Sequence, residues 1–318
     1  MRVFVTGASG FLGRALCERY AADGHEVSGM DLVADPARDV VAGDVAVAGT
    51  WQEHAAGSDL VIHTAAIVSL RTERPAEVWR ANVLGTAHAL EAAERGGASR
   101  FVHFSSVTVF GFDFPDGADE RHPVAPSGVP YADTKIASEQ VVLQAQLEGR
   151  IDVTIVRPAD VYGPRSRAWA LLPAQLIRDR RFVLPAGGKG IFSPVYVDNL
   201  VDGVVLAAAS PEAVGQVFTL SDGNGIPNRD FFAPYAELTG RRLRTLPTPL
   251  ALAASAAVQR AARLRPGDND INPLALRYML RRGTYSNAKA RRVLGWEPAV
   301  PLEEGLVRTV DWLHSQGF

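Results

Sequence analysis

The stretch Thr6-Gly7-Ala8-Ser9-Gly10-Phe11-Leu12-Gly13 constrains this chain more than any other. It follows the apolar run Val3-Phe4-Val5 and precedes a pattern in which Leu12, Leu16 and Tyr20 share one helical face. Strand, glycine turn and helix in that order form the setting of a dinucleotide fingerprint. The glycines allow close backbone approach to a pyrophosphate, and the unpaired N–H groups of a new helix face its charge. The spacing is G-x-x-G-x-x-G rather than G-x-G-x-x-G. Glycine turns also occur for purely structural reasons, so the rest of the chain has to decide.

The second apolar run, Glu26-Val27-Ser28-Gly29-Met30, closes on Asp31, 18 residues beyond Gly13. An acid there can accept hydrogen bonds from ribose hydroxyls and repels a 2′-phosphate, which favours NAD over NADP. Arg38 is the nearest base that could reverse this preference. Val40-Val41-Ala42 and Leu60-Val61-Ile62-His63 read as further buried strands. Asp44 can cap the turn that follows, and the small Thr64-Ala65-Ala66 lets the chain pass close to a cofactor. His63 reads as a satisfied strand-end histidine. No histidine or acid cluster stands at metal-ligand spacing, so no metal is expected.

A helix from Pro75 to about Arg95 carries Asn82. The strand Phe101-Val102-His103-Phe104 delivers Ser105 and Ser106, and a glycine- and proline-rich excursion over 111–130 reads as a mobile lid. Tyr131-Ala132-Asp133-Thr134-Lys135 then opens another helix, to about 147. Tyrosine and lysine four apart lie on one helical face, so an ammonium can serve both a phenol and a bound ribose. Alternating strands and helices predict right-handed βαβ units in a parallel, doubly wound α/β sheet.

With 318 residues, a net charge of −2 and 47% hydrophobic residues, the chain offers no global field for nucleic acid or anionic membrane. The balance is locally uneven: residues 157–189 hold seven Lys/Arg against Asp160 and Asp179, either a solvated face or a cleft for an anionic group. The single cysteine, Cys17, excludes an internal disulfide and reads as a small core residue. The first strand begins at Arg2 and the longest apolar stretch, 250–258, is far too short to span a bilayer, so a cytoplasmic protein is expected.

These motifs resemble the extended short-chain dehydrogenase/reductases, that is, the NAD-dependent epimerase/dehydratase family, nearest to its 3β-hydroxysteroid dehydrogenase-like branch. Thr-Gly before the glycine turn, Asn82-Val83-Leu84-Gly85-Thr86, Ser-Ser-Val-Thr-Val-Phe-Gly from Ser105 and Tyr131-x-x-x-Lys135 carry the likeness. So do Val161-Tyr162-Gly163-Pro164-Arg165, Pro194-Val195-Tyr196-Val197-Asp198-Asn199 and Leu294-Gly295-Trp296. Phe110 stands where relatives usually have tyrosine. The resemblance implies a Rossmann domain over 1–165 with a return segment about 191–225. It implies a smaller, interleaved substrate domain over 166–190 and 226–318.

By the same resemblance, Ser106, Tyr131, Lys135 and Asn82 form the catalytic set, with Ser105 as second choice for the serine. The implied NAD contacts are Gly7, Ser9, Gly10, Phe11, Leu12, Gly13, Asp31, Asp44, Val45, Thr64, Ala65, Ala66, Asn82, Ser105, Tyr131, Lys135, Pro158 and Val161. The resemblance also implies a homodimer through the helices near 75–95 and 131–147. Three functions stay open: alcohol–ketone oxidoreduction, nucleotide-sugar epimerisation (dehydration less so, since Val107-Thr108 replaces Asp-Glu) and non-enzymatic NAD sensing. Trp169, Leu171, Leu172, Phe182, Phe192 and the Ala/Leu-rich 250–262 segment suggest an apolar wall for the substrate, which could carry an anionic group.

Overall fold

The computed structural model describes residues 1–69, 74–264 and 273–318. At its centre lie seven strands: β1 (Arg2–Thr6), β2 (Glu26–Asp31), β3 (Val40–Ala42), β4 (Leu60–His63), β5 (Arg100–Phe104), β6 (Asp152–Pro158) and β7 (Gln216–Leu220). Their spatial order is β7-β6-β5-β4-β1-β2-β3, and every neighbouring pair is parallel. This is the Rossmann-type sheet that the alternating pattern predicts.

Apolar runs such as Val3-Phe4-Val5 are possible only in strands covered on both faces, because successive side chains point to opposite sides. Val3, Val5, Ile62 and Val102 pack into one buried cluster with Leu16 and Tyr20 of helix α1 (Phe11–Ala22). Phe4, Val61, Phe101 and Val153 pack into another, with Ala89 and Ala93 of α2 (Gly85–Gly96) and Val142 of α3 (Pro130–Leu147). Helix α4 (Val197–Ala209) lies beside α1. The chain leaves β1 toward β3, then returns to the other side of β1 as β4. The crevice at that reversal, beyond the strand ends, is where an open α/β sheet takes its ligand.

Two expectations are corrected. The helix from Pro75 is not uniform: Pro75–Trp79 passes into a wider π-turn at Arg80–Leu84, which carries Asn82, before α2 begins. The 111–130 excursion is not a free lid. Ala118 bridges to Tyr285, Thr284 bonds both Asp116 and the Gly117 N–H, and the Phe114 ring stacks 4.7 Å from that of Tyr285. Its far side is tied down by Glu120, which accepts from the Thr219 N–H of β7 at 2.6 Å.

Outside the sheet, three short strand pairs join 160–162 to 194–196, 183–185 to 244–246 and 191–192 to 226–227. An aromatic core holds this part together, with Phe192 stacked 3.8 Å from Phe231 and Phe182 edge-on to Phe232. Phe192 is fully buried here. Phe192 therefore serves the core rather than the expected substrate wall, while Phe182 is half-buried against it.

Candidate active site

Gly7 sits at φ +72°, where a β-carbon would stand 2.9 Å from the Ala65 nitrogen, so the glycine turn and the 64–66 segment touch through bare backbone. Gly13 is held tighter: a β-carbon there would lie 2.0 Å from the Gly7 carbonyl oxygen. Helix α1 starts after Gly10 with no side-chain cap, and its first internal bond runs from Arg14 N–H to the Gly10 carbonyl. The N–H groups at Phe11, Leu12 and Gly13 thus head the helix without a side-chain partner, as an anion site requires.

Asp31 ends β2, and its carboxylate accepts from Ser9 N–H at 2.9 Å and Leu32 N–H at 2.7 Å. Arg38 reaches the same corner, donating to Ser9 Oγ at 3.1 Å while paired with Asp35 at 2.7 Å. Asp44 is exposed and accepts from Ala46 N–H at 2.9 Å, the geometry of a turn cap. Val45 packs on Gly85, and its carbonyl meets the His88 ring. Thr64 donates to the Thr6 carbonyl at 2.7 Å. Ala65 and Ala66 are half-buried beside the turn. Pro158 closes β6 opposite Leu220, and Val161, three residues on, pairs with Val195 outside the sheet. The bare glycine cradle, the open helix N-terminus and the acid at the second strand's end fit NAD.

Tyr131, Lys135 and Glu139 repeat every four residues on the buried face of α3. Lys135 Nζ donates to the Phe104 carbonyl at 2.7 Å and lies 6.0 Å from the Tyr131 ring centroid. Burial lowers its pKa to about 8, against the pull of Glu139, which raises it. Burial also raises the Tyr131 phenol, while hydrogen bonding with Ser106 draws it back down. Ser106 Oγ accepts from Thr108 N–H at 3.2 Å. Ser105 faces elsewhere, donating to Glu139 at 2.5 Å. Ser106, not Ser105, is therefore the hydroxyl beside Tyr131.

Asn82 is wholly engaged. Its Oδ1 accepts from Ile67 N–H at 2.8 Å, and its Nδ2 donates to the Ile67 carbonyl at 3.1 Å and to Thr134 Oγ1 at 3.0 Å. Thr134 in turn donates to the Tyr131 carbonyl. On the other side, Thr86 donates to the Asn82 carbonyl, so the neutral His63 donates from Nε2 to Thr86 and accepts from Thr6 at Nδ1, 2.7 Å away. Burial drives the His63 pKa down to about 3. One hydrogen-bonded line thus links the end of β1 with the helix of Tyr131.

Sequence reasoning missed two buried charge groups. Glu139 holds Arg157 through two bonds, 2.8 and 2.7 Å, and the Arg157 guanidinium lies 5.0 Å over the Phe110 ring. The i, i+4, i+8 spacing of Tyr131, Lys135 and Glu139 was the available signal. Just beyond β6, Asp160 accepts from Arg281 at 2.6 Å and from Tyr278 at 2.5 Å, and Arg281 also donates to Tyr285 at 2.9 Å. Trp169 stacks on Tyr278 at 5.7 Å. Within the expected basic cluster Arg157 is thus spent on Glu139, and Arg165 meets Glu18 of α1 at 3.2 Å. Arg178 and Arg277 are exposed. Cys17 is half-buried, and burial raises its thiol to about 11. No described helix is long and apolar enough to cross a membrane.

The sequence profile of the NAD dependent epimerase/dehydratase family matches residues 3–220. A 4-hydroxy-2-methyl-3-oxo-4-farnesyl-3,4-dihydroquinoline-1-oxide ketoreductase of Stigmatella aurantiaca is 35% identical, across 96% of this chain and 95% of its own. A UDP-glucose 4-epimerase of Mycolicibacterium smegmatis is 30% identical across 99% of both. Among solved structures, MoeE5 in complex with UDP-glucose and NAD superposes with a TM-score of 0.79 at 26% identity, covering 99% of each chain. The chain belongs to the NAD dependent epimerase/dehydratase family and is an NAD-dependent enzyme of the extended short-chain dehydrogenase/reductase type.

Proposed function

We propose that the protein interconverts a secondary alcohol and a ketone, with Tyr131 exchanging the proton at the substrate oxygen. The observation that carries this reading is the convergence of Ser106, Tyr131 and Lys135 at one buried point beyond the end of β5. When bound, NAD supplies the hydride acceptor or donor at its nicotinamide ring. Ser106 hydrogen-bonds the substrate oxygen and the phenol. Lys135, held by the Phe104 carbonyl, keeps a cation beside the phenol and offers its remaining protons to the ribose. Asn82 positions this helix through Thr134 and the Ile67 backbone rather than touching substrate.

On this reading residues 1–165 and about 191–225 hold NAD, and 166–190 with 226–318 cover a largely apolar substrate in the cytoplasm. The similarity to a ketoreductase supports it. A second reading, epimerisation of a nucleotide sugar, is favoured by the likeness to a UDP-glucose 4-epimerase and by the exposed Arg277 and Arg282. The deciding assay follows NADH with a panel of hydroxysteroids, β-hydroxyacids, prenylated ketones and nucleotide sugars. Net NADH formation or consumption supports oxidoreduction. Sugar epimerisation without net NADH change replaces it with the second reading.

A further inference from the structure

Six arginines converge on one face of the smaller unit. Arg178 ends the helix Leu172–Arg178, Arg180 and Arg181 follow it, and Arg241, Arg242 and Arg244 run up to the strand Arg244–Leu246. Parallel pairing of that strand with Val183–Pro185 brings the two groups together. Arg241 Nε donates to the Arg178 carbonyl at 3.3 Å, and Arg244 Nη1 to the Arg180 carbonyl at 2.8 Å. Arg178 lies 4.5 Å over the Phe318 ring. All six are exposed, and none has an ion-pair partner among the described residues. Asp179 and Glu237 are the acids adjoining them in sequence. On a chain of net charge −2 this is a local excess of repelling like charge, which a folded protein retains at a cost.

The helix α5 (Thr248–Leu264) follows directly and packs against Val183–Pro185. Ala251 and Ser255 face inward. Leu250, 59% exposed, faces solvent with Ala253, Ala254, Ala256, Ala257 and Arg260. An apolar helical face therefore adjoins the strand pair that carries the arginines.

We propose that this surface docks the enzyme peripherally on an anionic lipid bilayer. The arginines meet the headgroup phosphates, and Leu250 with its alanine neighbours lies at the headgroup boundary. The apolar area is small, so charge supplies most of the attraction and binding is reversible and salt-sensitive. The paired charge and apolar face suit a bilayer better than an acidic protein, which would need only the charge. Each arginine near an anionic surface contributes about 1 kcal/mol, or roughly fivefold in partitioning.

The test is co-sedimentation of the full-length protein with vesicles of phosphatidylcholine alone and of phosphatidylcholine mixed equally with phosphatidylglycerol. Binding to the mixed vesicles only, abolished by molar salt, is expected. Arg181→Glu/Arg241→Glu/Arg242→Glu should lower partitioning at least roughly a hundredfold while leaving turnover of a soluble substrate unchanged. Leu250→Asp should weaken it less. Hydrogen exchange of the wild type provides a readout free of any variant: slower exchange over 178–182 and 241–257 on mixed vesicles supports docking. Failure to bind mixed vesicles, undiminished binding by the triple variant, or capture by polyglutamate with no vesicle binding each overturns the proposal.

Discussion

Ser105 Oγ donates to Glu139 Oε1 at 2.5 Å while the same carboxylate grips Arg157 through two further bonds. The helix that carries Tyr131 and Lys135 thereby also anchors the residue next to Ser106. Both partners of the ion pair are buried, with side chains 5% and 2% exposed. Glu139→Ala leaves the guanidinium charge unpaired, and a loss of about 3–5 kcal/mol is expected in urea denaturation. Glu139→Gln keeps the shape and should lose less. It should also lower kcat more than it raises KM, because Ser105 and Lys135 both shift.

Tyr131→Phe keeps the ring packing and removes the exchangeable proton. Unfolding midpoint and NAD affinity should change little, while turnover falls by about a hundred- to ten-thousandfold. Retained turnover would assign the proton transfer to another group.

Asp31 favours NAD, but Arg38 stands at Ser9 Oγ in the same corner. Titration of both cofactors should show tighter NAD binding. Asp31→Ala should narrow the preference by roughly tenfold, about 1.4 kcal/mol, the scale of one charge-assisted contact. Arg38→Ala should weaken NADP more than NAD.

His63 carries a pKa near 3 in the folded protein, and His103 is also held well below its ordinary value by burial. The unfolded chain binds protons at these sites near pH 6.5 while the folded chain does not, so stability falls as pH drops through 6.5 toward 3. Between pH 7 and 5 His63 should contribute a loss of about 2 kcal/mol, and His103 acts in the same direction. Asp222, raised to about 6 by burial, acts in the opposite sense between pH 6 and 3.8. Comparing the pH 7-to-5 change of the wild type with that of His63→Gln isolates the histidine: the variant should lose less. An NMR titration showing His63 protonating near 6.5 would contradict the assignment.

Trp79 and Leu84 stand 42% and 44% exposed before α2, and Leu147 is 88% exposed at the end of α3. We expect a homodimer through these helices, each large apolar side chain contributing about 2 kcal/mol when covered. Light scattering at micromolar concentration should give twice the chain mass, and Trp79→Glu/Leu84→Glu should give the monomer. A monomeric wild type removes this expectation.

Local rules made much of this protein readable. A glycine turn between a strand and a helix can be recognised because its constraint is backbone geometry within a few residues, and Gly13 against Gly7 is that constraint in place. The parallel sheet followed from apolar runs that need cover on both faces. Tyr131 and Lys135 share a helical face by spacing alone, and so does Glu139, whose acid gave no hint of its partners.

What spacing cannot specify is the partner across the chain. Ser105 and Ser106 are equivalent in sequence, and only Glu139, 34 residues away, turns one hydroxyl inward and leaves the other beside Tyr131. The 111–130 excursion has the composition of a free loop, yet Thr284 and Tyr285 stitch it down through bonds no local pattern encodes. Phe192 looks like a pocket wall until Phe231 stacks on it. Arg178 and Arg241 become one basic surface because two three-residue strands happen to pair. A sequence determines which way a residue faces within its own element, because that depends on backbone period. Which group meets it there depends on how distant elements pack, and only the tertiary structure decides that.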